Sequence, residues 1–155
     1  MQHNHSLTTK FLRITFSVML LAMPQLLFAQ DDMSDIHSDG QAIIQLLESK
    51  DLEVVRVEYD LIWNSPKEII RSLSDKYTYA IGAHADNNRV DDLDIKVYRK
   101  SGSQWVLVAK DTDSDSTPMV YVKPESSGEY KIVISVYKFK SNYNIAHYGL
   151  FVAHD

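Results

Sequence analysis

Asp111, Asp113 and Asp115 alternate along one short segment, Lys110-Asp111-Thr112-Asp113-Ser114-Asp115-Ser116, and their type and spacing come nearest to chemistry in this chain. Three hard oxygen donors on an irregular loop can turn toward one Ca²⁺. Asp-x-Asp-x-Asp also opens an EF-hand loop. Here, however, Ser116 stands where that loop needs glycine, and Val122 where it needs a bidentate glutamate. An EF-hand is excluded. The plainer reading of the segment is a solvated turn whose Asp and Ser side chains bond their own backbone. Asp91, Asp92 and Asp94 make a second carboxylate group. Asp94 shares the parity of Lys96 and Tyr98 and is expected at the surface or at a strand end.

The tyrosines offer a different chemistry. If Leu93, Ile95 and Val97 face a core, Tyr98 faces away from it. By the same parity Tyr121 points out between Val120 and Val122, and Tyr137 points out beyond Tyr130, Ile132, Ile134 and Val136. Three outward rings, Tyr98, Tyr121 and Tyr137, would give a stacking surface for a sugar or a peptide. They could equally pair across strands, as tyrosine does in sheets. Trp63 and the row Trp105, Leu107 and Ala109 read as core or strand-edge packing.

Catalytic constellations are missing from the sequence. It holds no His-Glu-x-x-His, no Gly-x-Ser-x-Gly, no phosphate-cradling glycine loop and no cysteine. His37, His84, His147 and His154 have no metal-ligand spacing and read as surface or loop histidines. His84-Ala85-Asp86 suggests part of a triad, but no serine stands in a nucleophile setting. The reading is non-catalytic.

The elements that position these residues follow from periodicity. Alternation over Leu93–Tyr98 and Glu129–Tyr137 marks half-buried strands. Strand-like runs also cover Leu52–Trp63, Lys67–Leu73, Tyr77–Ala83, Gln104–Lys110, Met119–Lys123 and Ala146–Ala153. Turn residues separate them. About eight short strands so joined predict a mainly β protein, an antiparallel β-sandwich of jelly-roll type. Ser38-Asp39-Gly40-Gln41 has capping-box spacing, and Ile43, Leu46 and Leu47 recur at helical intervals. A short helix is expected over residues 41–50, opening a single domain of residues 41–155.

The first 29 residues read as a cleavable signal. Lys10 and Arg13 precede an apolar run from Ile14 to Ala29, and Gln30-Asp31-Asp32 follows. Pro24 and Gln25 interrupt the run, leaving it short of the ~20 apolar residues of a membrane span. No stable membrane anchor is expected after cleavage, and the location is secreted or periplasmic. Residues 30–40 are acidic and aperiodic, a flexible leader. Loss of residues 1–29 removes Lys10 and Arg13 and no acid, taking the net charge from −5 to −7. That balance argues against nucleic acid and anionic lipid as partners. With no cysteine there is no disulfide, so the fold relies on its core.

Several stretches resemble the bacterial pre-peptidase C-terminal domain. They are Arg71-Ser72-Leu73 leading to Tyr77-Thr78-Tyr79, then Asp92 to Tyr98, Ala109 to Asp115, and Pro124 to Ile132. The similarity runs from Ile69 to Ala153. It implies a β-sandwich without catalysis; no protease domain accompanies it in this chain.

The sequence thus points to an exported, non-catalytic module that binds a protein or a polysaccharide outside the cytoplasm. The alternative is a structural or solubility accessory of a secreted enzyme system, stabilised by calcium if Asp111, Asp113 and Asp115 bind it. A hydrolase is the third reading. Ca²⁺ is the only cofactor suggested.

Overall fold

The computed structural model describes residues 28–155, with side chains from residue 35 onward. The signal expected over residues 1–29 lies, save its last two residues, outside them. A helix α1 (Phe28–Glu48) is followed by eight strands. These are β1 (Glu53–Trp63), β2 (Lys67–Leu73), β3 (Tyr79–Ala85), β4 (Val90–Ser101), β5 (Gln104–Asp111), β6 (Met119–Val122), β7 (Gly128–Phe139) and β8 (Ile145–His154). Every expected strand is present.

The pairing is nested. β4 pairs with β5, β3 with β6, β2 with β7 and β1 with β8, all antiparallel. One long hairpin has been rolled so that successive pairs fall in alternate sheets. The first sheet runs β1-β8-β3-β6 and the second β2-β7-β4-β5. This is a jelly roll, a two-sheet β-sandwich. Between the sheets lie the inward rows expected from alternation: Leu93, Ile95 and Val97, then Tyr130, Ile132 and Ile134, with Val120 and Val122 from β6.

Helix α1 corrects the expectation for residues 30–40. They are not a flexible leader: the helix runs through them and stops at Glu48, short of the expected Lys50. Ser38 is therefore not its N-cap. Ile36, Gly40, Ile43, Ile44 and Leu47 recur at three- and four-residue intervals, so the apolar face begins upstream of the capping-box spacing. That face lies on the outer side of the first sheet. There Leu47 packs with Ala80, Phe151 and Ala153, and Ile43, Ile44, Val57, Tyr59 and Met119 border them. The helix ends in a Schellman motif, with Asp51 at φ 59°, Leu52 N–H bonded to Leu47 C=O and Asp51 N–H to Glu48 C=O.

This covering explains why β3 shows no alternation. All seven residues from Tyr79 to Ala85 are buried, one parity in the core and the other under the helix. His84, expected at the surface, is among them.

Candidate functional site

The acidic segment is spent largely on its own backbone. One carboxylate oxygen of Asp111 accepts the Asp113 N–H at 3.1 Å and the other accepts the Met119 N–H at 2.9 Å. Asp115 accepts the Thr117 N–H at 2.8 Å, and its main-chain carbonyl accepts the Leu93 N–H. Among the described residues no three carboxylates or imidazoles converge as a metal would need. The side chains of Asp111 and Asp115 thus make the contacts of a turn bonded to its own backbone. Asp111 and Asp113 do share a shallow groove with Tyr121, between the ends of β5 and β6.

The three tyrosines do not make one surface. Tyr121, 57% exposed, lies on the first sheet, whereas Tyr98 and Tyr137 lie on the second. Tyr137 is 76% exposed. It stands six residues along β7 from Lys131, the register partner of Tyr98. That is roughly 20 Å at strand rise.

The His84-Ala85-Asp86 stretch is structural. His84 Nε2 bonds the Ile36 carbonyl, and its ring packs between Tyr59 and Phe151. Burial holds its pKa below the usual imidazole value. Asp86 turns the chain into β4: its side chain accepts the Asn88 N–H at 2.8 Å and meets Arg89 at 3.2 Å. His154 stacks on Tyr77 at the far end of β8.

What remains is the outer face of the second sheet. Helix α1 covers the outer face of the first sheet; no described element covers this one. Its central row crosses all four strands in register, Ile70–Lys131–Tyr98–Leu107. Lys131 Nζ lies 5.7 Å from the Tyr98 ring centre and 5.2 Å from that of Trp105, within cation–π reach of both. It also meets both carboxylate oxygens of Glu68 at 3.2 Å. Lys100, beside Trp105 in register, is ion-paired with Glu129. Two rings are thus fixed by a cation between them, and Leu107 and Ile70, 45% and 50% exposed, flank them. An ordered apolar centre with a charged border can bind a surface at little entropic cost.

Tyr98 follows from strand parity, whereas Trp105 and Leu107, expected in core or strand-edge packing, lie on the open face. The cause is a bulge. Val97 pairs with Ala109 and Tyr98 with Leu107, so Val108 is an extra residue and parity reverses across it. Ala109 therefore packs against the core while Leu107 faces out. The unbroken Val106-Leu107-Val108 triplet was the available signal.

No family model and no curated protein matches this sequence. Among solved structures, one similar fold is the Aeromonas hydrophila PliG, a periplasmic lysozyme inhibitor of g-type lysozyme. It has 11% identity and a TM-score of 0.46 over 68% of this chain and 90% of that one. Another is the Yersinia pseudotuberculosis-derived mitogen, with 16% identity and a TM-score of 0.44 over 63% and 82% of the two chains. At these values neither likeness assigns a function.

Proposed function

We propose that the protein is an exported, non-catalytic module that binds another protein through the open face of its second sheet. One observation carries the reading. The helix covers one outer face of the sandwich, and the other bears the row Ile70–Lys131–Tyr98–Leu107 with Trp105 beside it. Aromatic side chains held in place at the centre of a surface, with ion pairs around them, are the anatomy of a protein-binding patch. Export rests on the basic, apolar and small-residue order of residues 1–29. The resemblance to pre-peptidase C-terminal domains supports a non-catalytic role.

The test is retention by the immobilised protein of exported proteins and, separately, of soluble polysaccharides. Protein retention should be lost in Trp105→Ala and Tyr98→Ala and kept in Tyr121→Ala, which lies on the other sheet. Polysaccharide retention lost through the same two substitutions would replace the protein partner by a sugar. Retention indifferent to both substitutions would sink the surface.

A further inference from the structure

Lys96 and Lys110 are direct cross-strand partners on this open face. Like charges so placed repel, and the pairing is destabilising unless something offsets it. The other two lysines of the face are offset, Lys131 by Glu68 and Lys100 by Glu129. Lys96 and Lys110 make no ion pair among the described residues.

The neighbouring acids are otherwise engaged or poorly placed. Glu68 shares the row of the two lysines but stands beyond Val133, and its carboxylate is on Lys131. Asp111 pairs with Ile95 in register, and both its oxygens hold backbone N–H groups. Asp92 is buried and bonded to Ser114. Asp94, one step along β4, feels the charge of both lysines. It is partly buried, and desolvation raises its pKa in spite of them. The chain as a whole is acidic, with a net charge of −5, so an unpaired lysine couple is out of keeping with its surroundings.

We propose that Lys96 and Lys110 form an anion-recognising site, and that its ligand is a carboxylate on an extended acidic segment of a partner protein. This rests on the protein-binding reading of the face. The next row along β4 is Tyr98 with Leu107, and the row after it Lys100 with Trp105. Successive rows on one face stand about 7 Å apart, which is also the repeat of side chains along one side of an extended chain. A segment with a carboxylate, then an apolar side chain two residues on, sets both against matching rows. The segment lies over the face and does not join the sheet at β5. The Val108 bulge and the lysine at position 110 on that edge strand both discourage strand addition.

The probe is a synthetic peptide containing Glu-Ser-Leu-Ser-Leu, compared with its Gln-for-Glu counterpart. Each is titrated into the isotope-labelled protein while backbone amide shifts are followed. The glutamate peptide should shift amides in residues 96–98 and 105–110. The glutamine peptide should bind on the order of tenfold more weakly, the loss of one charge-assisted contact. Lys96→Gln and Lys110→Gln should each weaken the glutamate peptide by a similar factor and raise the melting temperature of the free protein, because repulsion is relieved. Equal binding of the two peptides overturns the carboxylate site and leaves the protein-binding face standing. Binding of neither peptide overturns the carboxylate site, and the protein-binding face then stands or falls by the retention test. Lower melting temperatures in the lysine variants would make the pair a structural counterion to Asp94. Equal shifts with heparin fragments would replace the protein segment with a sulfated sugar.

Discussion

His84 Nε2 stands 2.9 Å from the main-chain carbonyl oxygen of Ile36, joining the middle of β3 to the helix above it. A carbonyl only accepts, so Nε2 carries a proton, and burial disfavours the charged ring that a second proton on Nδ1 would make. Nδ1 lies against the Gly149 backbone, and the faces of the ring are closed by Tyr59 and Phe151. Of the charged groups nearby, Asp39 favours the imidazolium and His37 opposes it, but desolvation outweighs both. The bond matters because it ties the helix to the outer face of the first sheet, while no described element covers the outer face of the second.

Stability should therefore depend on His84 in mild acid. The folded pKa lies below the ordinary value of about 6.5. As pH falls below that ordinary value, the unfolded chain takes a proton that the folded chain refuses, so stability drops until the folded pKa is passed. Above the ordinary value of about 6.5, the contribution is fully present. Urea unfolding between pH 7.5 and 5 should show this slope, and His84→Gln should flatten it. An unchanged slope in the variant would assign the acid sensitivity elsewhere.

Gly149→Ala should destabilise the protein by about 1–3 kcal/mol, the usual cost of overpacking a closed interior. An added Cβ would press on the His84 ring, 2.7 Å from Nδ1, and on Tyr59 Cε1 at 3.0 Å. The displaced imidazole would strain its bond to Ile36. Thermal melting with far-UV circular dichroism reads the loss, and a variant as stable as wild type would show that the helix can move away freely.

The strand pattern was legible because the core rows obey alternation. Ile132 and Ile134 are fully buried, while Lys131 and Val133 between them are only partly so. The helix was harder to read, since Ile36 lies in an acidic stretch and only the positions after residue 40 look periodic in isolation. His84 was misread for a related reason. A histidine between alanines looks like a loop residue until both parities of Tyr79–Ala85 are recognised as small or apolar, which marks a strand buried on two faces. The open face was half legible: Lys96 and Tyr98 follow from β4 parity, but Leu107 and Trp105 required the bulge at Val108, a property of the pairing and not of either strand alone.

The core register predicts a sharp contrast between neighbours. Ile134→Ala should cost ~2–5 kcal/mol, a cavity in a site with no solvent exposure. Lys131→Ala should cost less, about 1 kcal/mol, because it loses the Glu68 ion pair and the Tyr98 and Trp105 contacts on the open face and leaves the core filled. Chemical denaturation of both variants is the measurement, and equal losses would contradict the register.

The exported chain should begin near Gln30. Removal of residues 1–29 would leave most of helix α1, including Ile36 and Leu47, which hold it to the first sheet. Intact mass of the protein recovered from outside the cytoplasm decides the matter. Recovery there with Met1 retained would remove the export reading.

The acidic turn should behave as a bonded loop. Asp111 accepts two backbone N–H groups, so Asp111→Ala leaves both without their acceptor and should cost about 1–3 kcal/mol. The Asp113 side chain makes no hydrogen bond among the described residues, although its main-chain carbonyl accepts the Asp115 N–H. Asp113→Ala should therefore fall within about 0.5 kcal/mol of wild type. A calcium site would order these differently: all three aspartates would matter, and only with the ion present. Melting wild type, Asp111→Ala and Asp113→Ala in millimolar calcium and in chelator separates the two accounts. The bonded turn gives one temperature for each protein in both solutions. A rise of wild type in calcium that Asp113→Ala abolishes would restore Asp111, Asp113 and Asp115 as ligands.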